Sequence, residues 1–202
     1  MPCHKRPLTA RADGRRRHLL ETARALFMER GFHGTGVAQI AERSSIAVGQ
    51  IYRDFAGKED IIAAICEADT IAWLEEPVLA EAVADGDTEA IRTWIKRFCC
   101  ADGCVDDVRL MSEITAEAGR NERVAAVQRA IDDRVRTNLV AALRALVRRA
   151  DREEEVARLA DFVLTIGIGI VTWRAVHPDF AVGSLSQFVG SIVDQELERL
   201  AR

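Results

Sequence analysis

The sequence predicts an all-α protein, and three observations predict it. Aromatic residues make up only 5% of the 202 residues, while Ala, Leu, Arg, Glu and Asp abound. That balance favours helices over the β-branched and aromatic runs that sheets prefer. Apolar residues recur at steps of three and four along nearly the whole chain, the spacing of one helix face. No stretch alternates in the manner of a half-buried strand. About nine helices are expected.

Taken in order, residues 1–14 hold Pro2, Pro7 and Gly14 among scattered basic residues and read as a flexible arm. A helix follows from about Arg15 to Arg30, with Leu19, Ala23, Leu26 and Phe27 on one stripe and Gly31 as its stop. Two short helices come next, Val37–Arg43 and Ala47–Phe55, separated by Ser44, Ser45 and Ile46. Two short helices joined by so tight a turn form the helix-turn-helix pattern. Lys58-Glu59-Asp60 opens a longer helix to about residue 75, and Pro77 marks a kink or an end. Asp87 or Thr88 caps a helix to about Cys99. Further helices are expected over 105–119 and 121–150. Asp151 caps another, which ends near His177-Pro178, and the last covers 184–201.

The formal charge is −4, which by itself points away from a general nucleic-acid coat. The charge is unevenly spread. Residues 1–58 carry 11 Lys and Arg against 5 Asp and Glu, a balance of +6, and residues 59–202 carry −10. A basic head on an acidic body suits an anionic partner for the head. The 12-residue apolar stretch Phe162–Trp173 is shorter than a bilayer requires, and no export signal is expected. The five cysteines are odd in number and clustered, poor material for a disulfide framework, so a cytoplasmic location is expected.

No enzyme is expected. The four histidines (4, 18, 33 and 177) are scattered, and no zinc-protease, serine-hydrolase or phosphate-loop motif is present. No cofactor and no metal is called for. One alternative is a thiol- or metal-sensing regulator using Cys99, Cys100 and Cys104, with Cys66 nearby, although their spacing is not a standard zinc pattern. Another is a DNA-binding protein without a ligand.

The segment Gly31–Ile61 carries the strongest signal. Gly31-Phe32, Thr35, Val37, Ile40-Ala41, Gly49, Ile51-Tyr52, Phe55 and Lys58-Glu59 stand in the register of the DNA-binding domain of the TetR family of transcriptional regulators, which this segment resembles. Three positions depart from the family pattern. Gly36 replaces a threonine, so the cap of the second helix falls to Gly36 or Thr35. Ser45 replaces the turn glycine. Asp54 stands before Phe55 in place of a histidine or aromatic residue.

The chemistry of the second short helix fits the major groove independently of the resemblance. Ala47, Val48 and Gly49 allow close approach, Val48 suits a thymine methyl, and Gln50 suits adenine N6 and N7. Thr35, Gln39 and Arg43 are placed to hold a phosphate ridge, and Asp54 would weaken a contact there or orient Arg53. The resemblance adds phosphate contacts for Tyr52 and Lys58. Arg15, Arg16 and Arg17, with Lys5, Arg6 and Arg11, supply long-range attraction or a minor-groove arm.

The resemblance also divides the chain. It implies a helix-turn-helix DNA-binding domain over 15–58 and a helical ligand-binding and dimerisation domain over 59–202. The product is a homodimeric repressor on a palindromic operator of double-stranded DNA, with a small, mostly apolar effector and no membrane. The last two helices would pair with their copies as a four-helix bundle, through Val163, Gly167, Ile170, Phe188 and Ile192. Trp73, Trp94, Phe98, Met111, Ile114, Glu117 and Trp173 are candidates to line the effector pocket, with plain core packing as the alternative for each. Glu113 and Glu117, one turn apart, would favour a cationic effector if they faced that pocket and are otherwise solvated.

Overall fold

The computed structural model describes residues 7–99, 105–177 and 179–202. Ten α-helices are described: α1 (Pro7–Gly34), α2 (Val37–Ser44), α3 (Val48–Asp54), α4 (Lys58–Leu74), α5 (Glu76–Asp85), α6 (Thr88–Lys96), α7 (Val105–Ala118), α8 (Glu122–Val147), α9 (Glu153–Val176) and α10 (Val182–Ala201). Among the described residues there is no strand. The count is close to the expected nine. The addition is α5, which begins after Glu75 adopts a left-handed conformation (φ 47°) and carries Pro77 in its first turn, where proline is tolerated. Residues 7–14 are helical, which corrects the expectation of a flexible arm there. Residues 1–6, with Lys5 and Arg6, lie outside the described residues.

The chain forms two compact units. The first comprises residues up to Thr70 together with Glu113–Val127, so it takes in more chain than 15–58. Its core gathers Leu19, Ala23, Leu26 and Phe27 of α1, Ile40 of α2, Ile51 of α3, then Phe55, and Ile61, Ile62 and Ile65 of α4. The α1 stripe is the one read from the sequence. Side chains of the 113–127 segment join this unit by polar contacts. Glu113 Oε2 accepts the Phe32 backbone N–H at 3.3 Å, and Arg123 Nη2 donates to Asp60 Oδ1 at 3.0 Å.

The turn between α2 and α3 rests on Ser45, at φ 57° and ψ 27°. The Ile46 N–H donates to Ala41 O and the Ser45 N–H to Glu42 O. This closes the helix as a left-handed cap that usually carries glycine. A serine there bears the Cβ penalty of the left-handed region. Ser45→Gly is therefore expected to raise stability by about 0.5–1 kcal/mol, less whatever the freer unfolded chain takes back. Urea denaturation checks this, and an unchanged or lower midpoint would count against it.

The second unit comprises Ile71–Ser112 and Gln128–Arg202. One core cluster runs through Leu79 of α5, Ile91, Trp94 and Ile95 of α6, Val135, Leu139 and Leu143 of α8, Val156, Leu159 and Val163 of α9, and Val189, Val193 and Leu197 of α10. Asp87 caps α6, accepting the N–H groups of Glu89 (3.1 Å) and Ala90 (3.0 Å). Asp151 does not cap α9. It is drawn into a two-bond pair with Arg149, and α9 starts through a short 3-10 turn at Ala150–Arg152. A Cβ on Gly167 would lie 2.9 Å from Phe98 O, so that glycine is needed where α9 crosses the turn at residues 97–99.

Candidate nucleic-acid interface and effector region

Helix α3 buries Ile51 and turns a different face outward. Val48 and Tyr52 are exposed, and a Cβ on Gly49 would meet nothing within 4 Å. Ala47 and Arg53 are exposed too. Small residues at the helix start, then a tyrosine and an arginine, make a surface able to approach a polyanion closely. The three polar side chains of this face hold one another. Gln50 Nε2 donates to Asp54 Oδ2 at 3.3 Å, and Arg53 Nη2 donates to Gln50 Oε1. Arg15 lies 4.0 Å from Asp54. Asp54 thus acts on Gln50 directly, not on Arg53 as the sequence suggested. Arg16 sits over the Phe55 ring at 5.0 Å.

Other expected contacts are placed differently. Thr35 is 1% exposed, and its Oγ1 donates to Leu26 O (3.1 Å) and Gly31 O (2.9 Å). Its side chain is internal, which corrects its expected place on a phosphate. Gln39 Oε1 accepts the Gly36 N–H at 2.8 Å, so Gly36 is the N-cap of α2 and Gln39 helps to close that end. Arg43 is exposed in a two-bond pair with Glu29 (2.5 and 2.7 Å). Hydrogen bonding to Arg43 holds the Glu29 carboxyl below its usual range.

Lys58 reaches back to the end of α1. Its Nζ donates to Phe32 O (2.8 Å) and Thr35 O (3.4 Å) and lies 4.3 Å from the centre of the Phe32 ring. It therefore staples α4 to the loop before α2. His18 Nε2 similarly donates to Ser44 O at 3.2 Å, closing α2 against α1. Sequence reading missed His18, since a lone histidine on a helix gives no sign of a partner 26 residues away.

The expected pocket residues separate. Ile114 and Glu117 belong to the first unit, where Ile114 is buried. Glu117 is 2% exposed and holds three partners: His33 Nε2 at 3.1 Å, Arg120 Nε at 2.8 Å and Asn121 Nδ2 at 3.2 Å. Burial pushes its carboxyl up, but those partners outweigh it and hold it below the usual range. Glu113 is likewise engaged with the Phe32 N–H. Glu113 is nevertheless exposed, as the solvated reading expects, whereas Glu117 is buried, and both bond within the first unit.

In the second unit Trp73, Trp94 and Phe98 form an aromatic cluster, with ring centres 4.6 and 5.0 Å from Phe98. Trp94 Nε1 donates to Leu74 O, so Trp94 is core. Met111 is exposed. Trp173 faces outward with His177 and Phe180, where Trp173, Val176, His177, Asp179 and Phe180 line an open surface depression of about 370 Å³.

The expected dimer residues divide as well. Val163 and Ile170 are buried in the chain's own core, and Gly167 abuts Phe98 within the same chain. These three are corrected: they pack internally. Phe188 is 63% exposed, and Ile192 is half-buried. The outward face of α9 is a different stripe, with Ile168 44% and Val176 71% exposed and Gly169 open beside them. Over 18 residues the segment Ala150–Val176 is apolar enough to cross a membrane by length and composition. The shorter apolar stretch counted from the sequence did not anticipate this. Its inner stripe packs into the core, and its outer stripe accounts for the rest.

Of the cysteines, Cys66 is buried, and burial pushes its thiol up to about 12. It is thus protonated and unreactive at neutral pH. The thiols of Cys99, Cys100 and Cys104 lie outside the described residues.

A basic three-helix head with an exposed, small-residue recognition face defines the class: a helix-turn-helix DNA-binding protein. Comparison with known proteins gives the family. Residues 19–65 match the profile described as bacterial regulatory proteins, tetR family. Residues 87–198, more than half of the chain, match that of the BetI-type transcriptional repressor C-terminal domain. The chain belongs to the TetR family of bacterial transcriptional regulators. It is 31% identical over 119 residues to the HTH-type transcriptional regulator UidR of Escherichia coli K12, a match covering 57% of this chain and 58% of that one. The matched stretch thus spans less than two thirds of that relative. Among solved structures, Salmonella enterica GusR aligns over 96% of this chain and 98% of its own, at TM-score 0.66 and 20% identity. A SmeT–triclosan complex aligns over 89% and 90%, at TM-score 0.71 and 19% identity.

Proposed function

We propose that the protein is a cytoplasmic transcriptional repressor that binds a palindromic operator as a homodimer and releases it on binding a small, mostly apolar effector. The outward face of α3, with neighbours on α2 and α4, carries this reading: Ala47, Val48 and Gly49 for close approach, Gln50 and Arg53 for base edges, and Tyr52 with Gln39 and Arg43 of α2 and Lys58 of α4 for phosphates. The second profile match, to a repressor's C-terminal domain, favours repression. The SmeT–triclosan complex favours an apolar effector by analogy of fold. The exposed apolar stripe of α9 and Phe188 of α10 favour a second copy of the chain. Two heads then read half-sites about 34 Å apart on one face of the duplex. Effector binding lowers DNA affinity by preferring the spacing that does not fit, about 1.4 kcal/mol for each tenfold shift.

Gel-shift titration against the DNA flanking its own gene tests this, first across salt and then with lipophilic compounds. Gln50→Ala is expected to relax base preference, with a loss of about 1–3 kcal/mol on the best site and little on others. Lys58→Met is expected to weaken all sequences alike and to lower thermal stability as well, since it removes two internal hydrogen bonds. Equal base preference in wild type and Gln50→Ala would remove Gln50 as a reader. Failure to bind the flanking DNA or any selected duplex would overturn the function.

A further inference from the structure

We propose that Gln128 and Asp132 of α8 form the recognition point for a protonated amine carried on an otherwise apolar effector. The inference rests on the reading of the chain as an effector-responsive regulator and gives that effector a chemistry. Helix α8 turns Val135, Leu139 and Ala142 inward, with Ile131 packed against the same core. Gln128 falls on this inward stripe, where the pattern calls for an apolar residue. Its Nε2 donates to Asp132 Oδ1 at 2.9 Å. Its Oε1 is shielded from solvent and accepts no hydrogen bond among the described residues. Rotating the amide does not relieve this, because it would set a carbonyl against a carboxylate and orphan the nitrogen instead.

A shielded acceptor without a donor is costly, about 1–3 kcal/mol, and in a native protein it calls for a missing partner. Among the described residues the other such side-chain atom is Arg152 Nε. It belongs to a guanidinium already paired with Glu155 and Asp151.

Asp132 has the complementary deficit. It is half-buried, Gln128 is its hydrogen-bond partner, and among the described residues no Lys, Arg or His ion pair with it is found. Burial holds its carboxyl above the usual range; the Gln128 amide lowers it and the adjacent Asp133 raises it further. What the pair lacks is therefore both a hydrogen-bond donor and a positive charge. A neutral alcohol supplies only the first. A quaternary ammonium supplies only the second. A protonated amine supplies both, with one N–H for Gln128 Oε1 and one for Asp132. The carboxylates that sequence alone offered for a cation, Glu113 and Glu117, are already satisfied within the first unit.

The test is calorimetric titration of the full-length protein with 4-phenylbutylamine, 4-phenylbutanol and 4-phenylbutyltrimethylammonium, with operator gel shifts run in parallel. The amine is expected to bind about tenfold or more tighter than either analogue. Asp132→Asn should abolish that preference, and Gln128→Leu should weaken the amine and the alcohol while sparing the trimethylammonium. Asp133→Asn should keep the preference. Asp132→Asn should also leave the melting temperature unchanged or raised, because it removes an unpaired half-buried charge, whereas a purely structural aspartate would lower it. Should Asp132→Asn not fold, Gln128→Leu carries the test. Equal binding of amine and alcohol, a preference that survives Asp132→Asn, or no binding by any of the three would overturn the proposal. Operator release by neutral apolar compounds, with no advantage for the amine, would overturn it while leaving the effector-responsive reading intact.

Discussion

Gly31→Ala is expected to destabilise the first unit by roughly 1–3 kcal/mol and to weaken DNA binding with it. Gly31 interrupts α1 at φ 72° and ψ 166°, a backbone region open essentially to glycine alone. An added Cβ would also lie 3.2 Å from Glu113 Oε2, the oxygen that accepts the neighbouring Phe32 N–H. Strain at this point propagates through named bonds. The Gly31 carbonyl accepts from Thr35 Oγ1, and the Phe32 and Thr35 carbonyls accept from Lys58. Moving residue 31 therefore loosens the loop that sets the start of α2 and the anchorage of α4. Urea denaturation and operator affinity measure the two effects. A Gly31→Ala protein with wild-type stability would show that the loop can take another path.

Ile168→Asp is expected to leave the chain folded yet make it monomeric and cut operator affinity by about a hundredfold or more. On a lone chain an exposed position such as this tolerates a charge at small cost. In the proposed dimer the same charge is buried without a partner. Losing one head of a two-headed binder forfeits about 10²–10⁴ in affinity without touching a DNA contact. Phe188→Asp, on α10, should act alike. Sedimentation and gel shift read the two consequences. If both variants stay dimeric with full operator affinity, the outward faces of α9 and α10 are not the interface.

The helix-turn-helix was legible because its signals are local. Gly31, the 44–46 break and the inward Ile40, Ile51 and Phe55 each act within a few residues. Distant partners were not legible. Threonine and lysine hydroxyl and ammonium groups suit a phosphate or a backbone carbonyl equally well, so residue type alone did not reveal that Thr35 and Lys58 serve α1. Glu117 looked like one acid of a solvated pair, since nothing near it in sequence announces His33. On α9 the periodicity marked one apolar stripe, through Val163 and Ile170, but not whether the chain's own core or a partner covers it. The core covers Val163 and Ile170, and Ile168 and Val176 take the other side. The helical stretch 7–14 was hidden by Pro7 and Gly14, but a proline at a helix start and a single glycine within the helix only lower helix propensity.

The internal pairing of the head's cations has a further consequence. Arg43 is held by Glu29, Arg15 lies by Asp54, and Arg24 pairs with Asp69. Each of these guanidiniums already keeps an anion of its own before any duplex arrives. A phosphate that takes one displaces a tethered carboxylate, which stays with the protein, and it gains less from liberating ions condensed on the DNA. Occupancy of the operator should therefore respond to changes in cellular potassium less steeply than eleven basic residues in the first 58 would suggest. The sorting of one duplex from another is correspondingly left to shape and base edges.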